Sequence, residues 1–128
     1  MPDHDALTPG RTAVVTGAAS GIGLAAAERF AGLGLNVCLA DVDAKALGTA
    51  AEAVAGRARS GAEVLAIPTD VSDRAGVEAL RDRVLARFGG VHVLMNNAGR
   101  EGGGQLLPGD PARWTAIDTS CVALLAVP

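Results

Sequence analysis

The chain has 128 residues, 49% of them hydrophobic and 20% charged, with a formal net charge of −3 and a pI near 5.2. That length supports one domain with a sizeable core, and a mildly acidic balance with no basic run argues against nucleic acid or an anionic membrane as a partner. No apolar run approaches membrane-spanning length, and the opening MPDHDALTPGR has neither the basic start nor the apolar stretch of a secretory signal.

Cys38 and Cys121 stand far apart, with no CxxC and no His pair nearby. Two thiols in a reducing, cytoplasmic setting and no metal site are therefore expected. Aromatic residues are scarce, so the core is expected to be built from Ala, Val, Leu and Ile. There is no tyrosine, and Lys45 is the only lysine.

Residues 1–10 read as a flexible tail ending in Pro9-Gly10, and 11–128 as the folded domain. Arg11 to Thr16 is a short β-branched run and predicts a strand. Ile22 to Leu33 predicts a helix with Leu24, Ala27 and Phe30 or Ala31 on its inner side, stopped at Gly34. Leu35 to Asp41 predicts a second strand. Asp43 is placed to cap a helix from Ala44 to about Arg59, with Leu47, Ala50, Ala51 and Val54 as its apolar stripe. Ala62 to Asp70 carries a third strand closed by Pro68. Ser72 or Asp73 caps the next helix, whose inner positions are Val77, Leu80, Val84 and Phe88, and Gly89-Gly90 ends it. VHVLMNNAG predicts a fourth strand running into a turn. After the loop from Arg100 to Gly109, Asp110-Pro111 predicts a last helix start, with Trp114, Ile117, Cys121 and Leu124 on one face.

Strands that are nearly all apolar are covered on both faces, as in a parallel sheet. The alternation of strands and helices predicts a doubly wound α/β fold of Rossmann type, with spatial order 3-2-1-4. The fourth strand would then expose an unpaired edge.

Between Thr16 and Ile22 the turn carries Gly17, Gly21 and Gly23. A strand-to-helix turn aims several N–H groups and the positive end of a helix dipole at one point, which suits a pyrophosphate. Gly17 would make the turn, Gly21 would let the backbone approach the phosphates, and Gly23 would let the helix pack on the sheet. The spacing is GxxxGxG rather than GxGxxG, so a glycine turn that binds nothing remains an alternative at this point. Asp41 ends the second strand, where a carboxylate can accept hydrogen bonds from an adenosine ribose. It would repel a phosphate on that ribose, and no Arg or Lys is expected nearby to hold one. NAD is thus expected over NADP. An S-adenosylmethionine-binding fold also uses such a turn and acidic residue, and stays open as a further alternative.

TGAASGIG (Thr16 to Gly23), AD (Ala40-Asp41), DV (Asp70-Val71) and NNAG (Asn96 to Gly99) together resemble the short-chain dehydrogenase/reductase family in order and spacing. The resemblance runs from about Arg11 to the end of the chain and covers the cofactor-binding half of a typical member. It implies that Gly17, Ser20, Gly21, Ile22 and Gly23 border the cofactor diphosphate and that Asp41 holds the adenosine ribose. Asp70 and Val71 would flank the adenine. Asn97, Ala98 and Gly99 would lie along the nicotinamide-side ribose, and Asn96 would tie the middle strands together. Gly102 to Gly104 would face substrate.

The family's chemistry uses a Tyr and a Lys on one helix, usually with a Ser before them. With no tyrosine here, the resemblance implies no catalytic residue within this chain. Lys45 falls in the second crossover helix and cannot take that part. The Asn that members place after the Trp of the last helix would fall at Ser120 or Cys121, neither of them Asn. The full protein would act on a small-molecule alcohol or ketone, and this chain alone would bind cofactor without turnover. A stand-alone nucleotide-binding or regulatory module paired with a full-length relative is the alternative. The resemblance allows a homo-oligomer, although the helices that form dimers in the family would be incomplete.

Overall fold

A computed structural model describes residues 5–97 and the strand Cys121–Leu124. After a 3-10 turn at Asp5–Leu7 come β1 Thr12–Thr16, α1 Gly21–Gly32, β2 Asn36–Asp41 and α2 Ala44–Ala55. Then follow β3 Val64–Pro68, α3 Arg74–Phe88, β4 Val93–Asn96 and β5 Cys121–Leu124.

The five residues of β1 are all buried, because helices cover the sheet on both sides. Period-2 alternation sorts the strand residues between two cores. Val15, Val37 and Leu39 face one way and pack against Ala27 and Ala31 of α1 and Leu47, Ala50 and Val54 of α2. Val14, Cys38 and Ala40 face the other way, against Leu80 and Val84 of α3. The sheet order is β3-β2-β1-β4-β5. The first four strands pair in parallel, in the expected order 3-2-1-4. This is the doubly wound α/β arrangement.

Local chemistry sets the helix ends. Asp43 Oδ1 accepts the Ala46 amide at 3.0 Å and Asp73 Oδ1 accepts that of Ala75 at 3.2 Å, each cap contributing about 1 kcal/mol. Helix α2 stops at Ala55, short of the expected Arg59. Arg57 and Ala58 close the end with tighter bonds to Val54 and Ala55, and the Arg59 amide donates instead to Ala31 O at the end of α1. The tertiary tether wins over helical continuation. In α3, Val77 is 41% exposed rather than buried; the sheet contacts of this helix begin with Leu80.

Two expectations are corrected. The chain from Asp5 onward is docked, not a free tail. Ala6 is fully buried with Ala13, Leu35 and Val93, and the Gly10 amide donates to Gly34 O. The other concerns the segment around Cys121, expected on a helix, which forms β5. It pairs antiparallel with β4, Asn96 opposite Cys121 and Val93 opposite Leu124. A four-residue apolar run suits strand or helix equally, and here the open N–H and C=O groups of β4 decide it. The edge expected to be unpaired is therefore covered. The rest of the expected last helix, with Trp114 and Ile117, lies outside the described residues.

Candidate functional site

The site forms at the carboxyl ends of β1, β2 and β4. As β1 leaves the sheet, the chain turns through Gly17, with φ of 65°, and Gly21, with φ of 58°. Both values lie in the left-handed region that side chains disfavour. Beyond Gly21 the direction a Cβ would take is open, with nothing within 4 Å, so a ligand can approach the backbone there. Helix α1 begins at once. Its first backbone bond is Leu24 N to Ser20 O, and the Ser20 side chain makes no cap bond. The amides ahead of that bond are the ones a helix leaves unspent, at the end carrying a charge of about +0.5.

Gly23 has a different task. A Cβ there would lie 2.3 Å from Gly17 O and 2.7 Å from Asn97 Nδ2. Only a bare backbone lets α1 cross so close over the turn.

The turn is stitched to the second strand. The Ala18 amide donates to Ala40 O at 3.2 Å, and the Ala19 amide donates to Asp41 Oδ2 at 3.1 Å. The other oxygen of Asp41 accepts the Asp43 amide at 3.2 Å, and the Asp41 carbonyl accepts the Thr69 amide at 2.8 Å. The carboxylate thus stands on the same side of the sheet as the turn, half-buried and held at both oxygens. Each oxygen keeps a further lone pair for a hydroxyl donor.

Asn97 joins the turn from β4. Its amide donates to Thr16 Oγ1 at 3.0 Å and its Nδ2 to Gly17 O at 3.3 Å. Thr16 Oγ1 donates in turn to Met95 O at 3.4 Å. Asn97 therefore ties the end of β4 to the turn after β1. Sequence reading assigned no role to Thr16; a hydroxyl at the end of a buried strand was the signal, since such a group must find partners.

Asp70 stands at the loop after β3. Its Oδ1 accepts the Ser72 amide at 3.0 Å and the Ser72 hydroxyl at 2.6 Å, so it shapes its own loop. Val71 beside it is half-buried. Ile22 and Val42 flank the turn at 73% exposure each, apolar side chains left facing outward at the rim. Ala98 and Gly99 lie outside the described residues.

Lys45, not expected near the turn, lines a groove that one residue of the turn also lines. A groove of about 430 Å3 between α1 and α2 is lined by Ala19, Leu24, Asp43 and Lys45, among others. The helical rise from Asp43 brings Lys45 to the same groove as Ala19, which spacing along the chain did not reveal. Among the described residues no cluster of His, Cys, Asp and Glu is fit to hold a metal ion, and no helix is long and apolar enough to cross a membrane.

Residues 11–126 match the family model for short chain dehydrogenase. The chain belongs to the short-chain dehydrogenase family. Among its relatives in this family of oxidoreductases is 1-deoxy-11-beta-hydroxypentalenate dehydrogenase of Streptomyces exfoliatus. It is 48% identical over 89 residues, which is 70% of this chain and 31% of that protein. The chain spans about a third of the length of the curated relatives it matches. Of solved structures, a short-chain dehydrogenase/reductase from Burkholderia phymatum in complex with NAD is similar. The identity is 41%, the TM-score 0.71, and the match covers 87% of this chain and 41% of the other. L-Sorbose reductase from Gluconobacter frateurii, complexed with NADPH and L-sorbose, matches at 34% identity and TM-score 0.73. That match covers 88% of this chain and 42% of the reductase. The family's structural neighbours thus include both NAD- and NADP-bound proteins.

Proposed function

We propose that this chain is the NAD-binding half of a short-chain oxidoreductase that moves a hydride between NAD and a small alcohol or ketone. The observation that carries the reading is the Asp41 carboxylate lying 3.1 Å from the Ala19 amide. It brings the acidic end of β2 against the glycine turn, where one dinucleotide can meet both. The cofactor supplies the hydride chemistry when bound; the residues of this chain hold and orient it. The backbone from Gly17 through Ser20, Gly21, Ile22 and Gly23 offers N–H groups to a diphosphate. Asp41 accepts from ribose hydroxyls and disfavours a phosphate on the same sugar. Asp70 and Val71 border the adenine, and Asn97 with Ala98 and Gly99 border the nicotinamide-side ribose. The 128 residues hold no tyrosine, so a proton for the substrate oxygen must come from elsewhere, and the chain alone binds without turnover. A cytoplasmic setting and a homo-oligomeric full-length protein complete the reading.

Calorimetric titration with NADH and NADPH tests it. NADH binds more tightly to the parent, and Asp41→Ala weakens NADH about tenfold, the loss of roughly 1.4 kcal/mol expected for a hydrogen bond to a charged group. Lys45→Gln lowers whatever NADPH affinity remains. Equal affinities in the parent refute the ribose role of Asp41. Tight S-adenosylmethionine binding with no response to NADH refutes the cofactor class. The same lack of tyrosine favours a second reading, a nucleotide-binding module that pairs with a full-length relative. A coding sequence continuing past Pro128 into a Tyr–Lys pair eliminates that reading.

A further inference from the structure

The seam between β1 and β4 is short. Three residue pairs align along it, Ala13 with Val93, Val14 with Leu94 and Val15 with Met95, against five between β1 and β2. Side chains extend it at both ends. At the site end Asn97 binds Thr16 and Gly17. At the opposite end His92 does the corresponding work. Its backbone amide donates to Thr12 O at 2.8 Å, and its ring Nδ1 accepts the Thr12 amide at 3.0 Å.

That second bond has a chemical condition. Thr12 is 1% exposed, and its N–H has the imidazole nitrogen as its acceptor. An imidazole accepts at Nδ1 only when that nitrogen carries no proton; the imidazolium is a donor at both nitrogens. Protonation would set two donors face to face and strand a buried amide, a costly arrangement. The surroundings agree. Partial burial, and after it the charge of Arg11 immediately ahead of β1, hold the imidazole below its usual range. On the approach to β4 the neighbours are Gly89, Gly90 and Val91, none of which titrates.

We infer that His92 is a pH-operated latch on the β1–β4 seam: the neutral ring clamps the buried Thr12 amide, and the protonated ring releases it, loosening the sheet from the end away from the cofactor site. The segment around Ala6 packs on Ala13 and Val93 at this same end, so it loosens with the seam. The sign follows from linkage. The unfolded chain binds this proton more readily than the folded one, so the stabilisation is whole above pH 6.5 and is lost as pH falls below it.

The test is NMR on the isotopically labelled full chain carrying His4→Gln, which removes the other imidazole of the sequence. The expected result is a His92 ring that titrates below pH 6.5 with its proton on Nε2 at neutral pH. The Thr12 amide should also lose at least tenfold of its exchange protection between pH 7.5 and 5.5, relative to Leu39 in β2. His92→Asn offers a carbonyl acceptor that does not titrate, and should remove that pH dependence. A ring that titrates at or above 6.5, a proton on Nδ1, or unchanged Thr12 protection overturns the inference. So does a His92→Asn protein that keeps the parent's pH dependence. Should that variant not fold, the ring titration and Thr12 protection of the parent decide alone. None of these readouts requires cofactor, so they stand or fall separately from the proposed binding function.

Discussion

The two ends of the sheet are built to opposite plans. At the carboxyl end the strands spill into a glycine turn with left-handed backbone, unspent helix amides, and exposed Ile22 and Val42. At the amino end the same strands are closed by Ala6, Ala13, Leu35 and Val93, all fully buried, and by the His92–Thr12 bond. One end keeps its polar backbone groups available; the other satisfies them internally. A strand leaving a parallel sheet must either turn outward or be sealed, and binding demands the first at one end only.

The largest expected effect breaks the open end. At Gly23 a side chain meets Gly17 O at 2.3 Å, backbone that cannot step aside without moving the turn. Gly23→Val should cost about 3 kcal/mol in urea unfolding, the upper range for overpacking, and abolish NADH binding in calorimetry. Gly21→Ala sharpens the contrast: with open space above it but φ of 58°, it should cost only about 1 kcal/mol in stability while weakening NADH at least tenfold. The next effect breaks the closed end. Ala6→Asp places a carboxylate in an apolar cluster and should cost about 1–2 kcal/mol, with NADH affinity of the folded protein unchanged. A parallel loss of binding would mean that the ends are not independent. The smallest effect probes the middle. Burial pushes the Cys38 thiol up to about 12, so in a Cys121→Ser background it should not react with a disulfide reagent at pH 8 until the protein unfolds.

Much of this was legible in the chain, and for identifiable reasons. Strand and helix assignments rested on apolar runs and on Asp43, Asp73, Gly34 and Gly89, residues whose local preferences agree with the tertiary fold. The pairing of the glycine turn with Asp41 was anticipated because both sit at strand ends, and a parallel order 3-2-1-4 brings those ends to one rim. Other features failed to show. Helix α2 was drawn too long, since nothing local announces the Arg59-to-Ala31 bond. Cys121–Leu124 was drawn as helix, since a short apolar run suits either state and only its pairing with β4 decides between them. Lys45 was weighed only for the catalytic part, which its place in the second crossover helix rules out, and its sharing of a groove with Ala19 comes from packing.

By itself the sequence determined which segments form strands and helices, where a bare backbone bend must lie, and that an acidic residue follows the second strand. Periodicity, capping and side-chain size are properties of neighbours in the chain, and they act before any packing occurs. Only the tertiary structure decided which amide the Asp41 carboxylate holds, that Asn97 ties β4 to the turn, and that His92 seals Thr12. Those contacts join residues 22 to 81 positions apart, and only the folded sheet determines which of them meet.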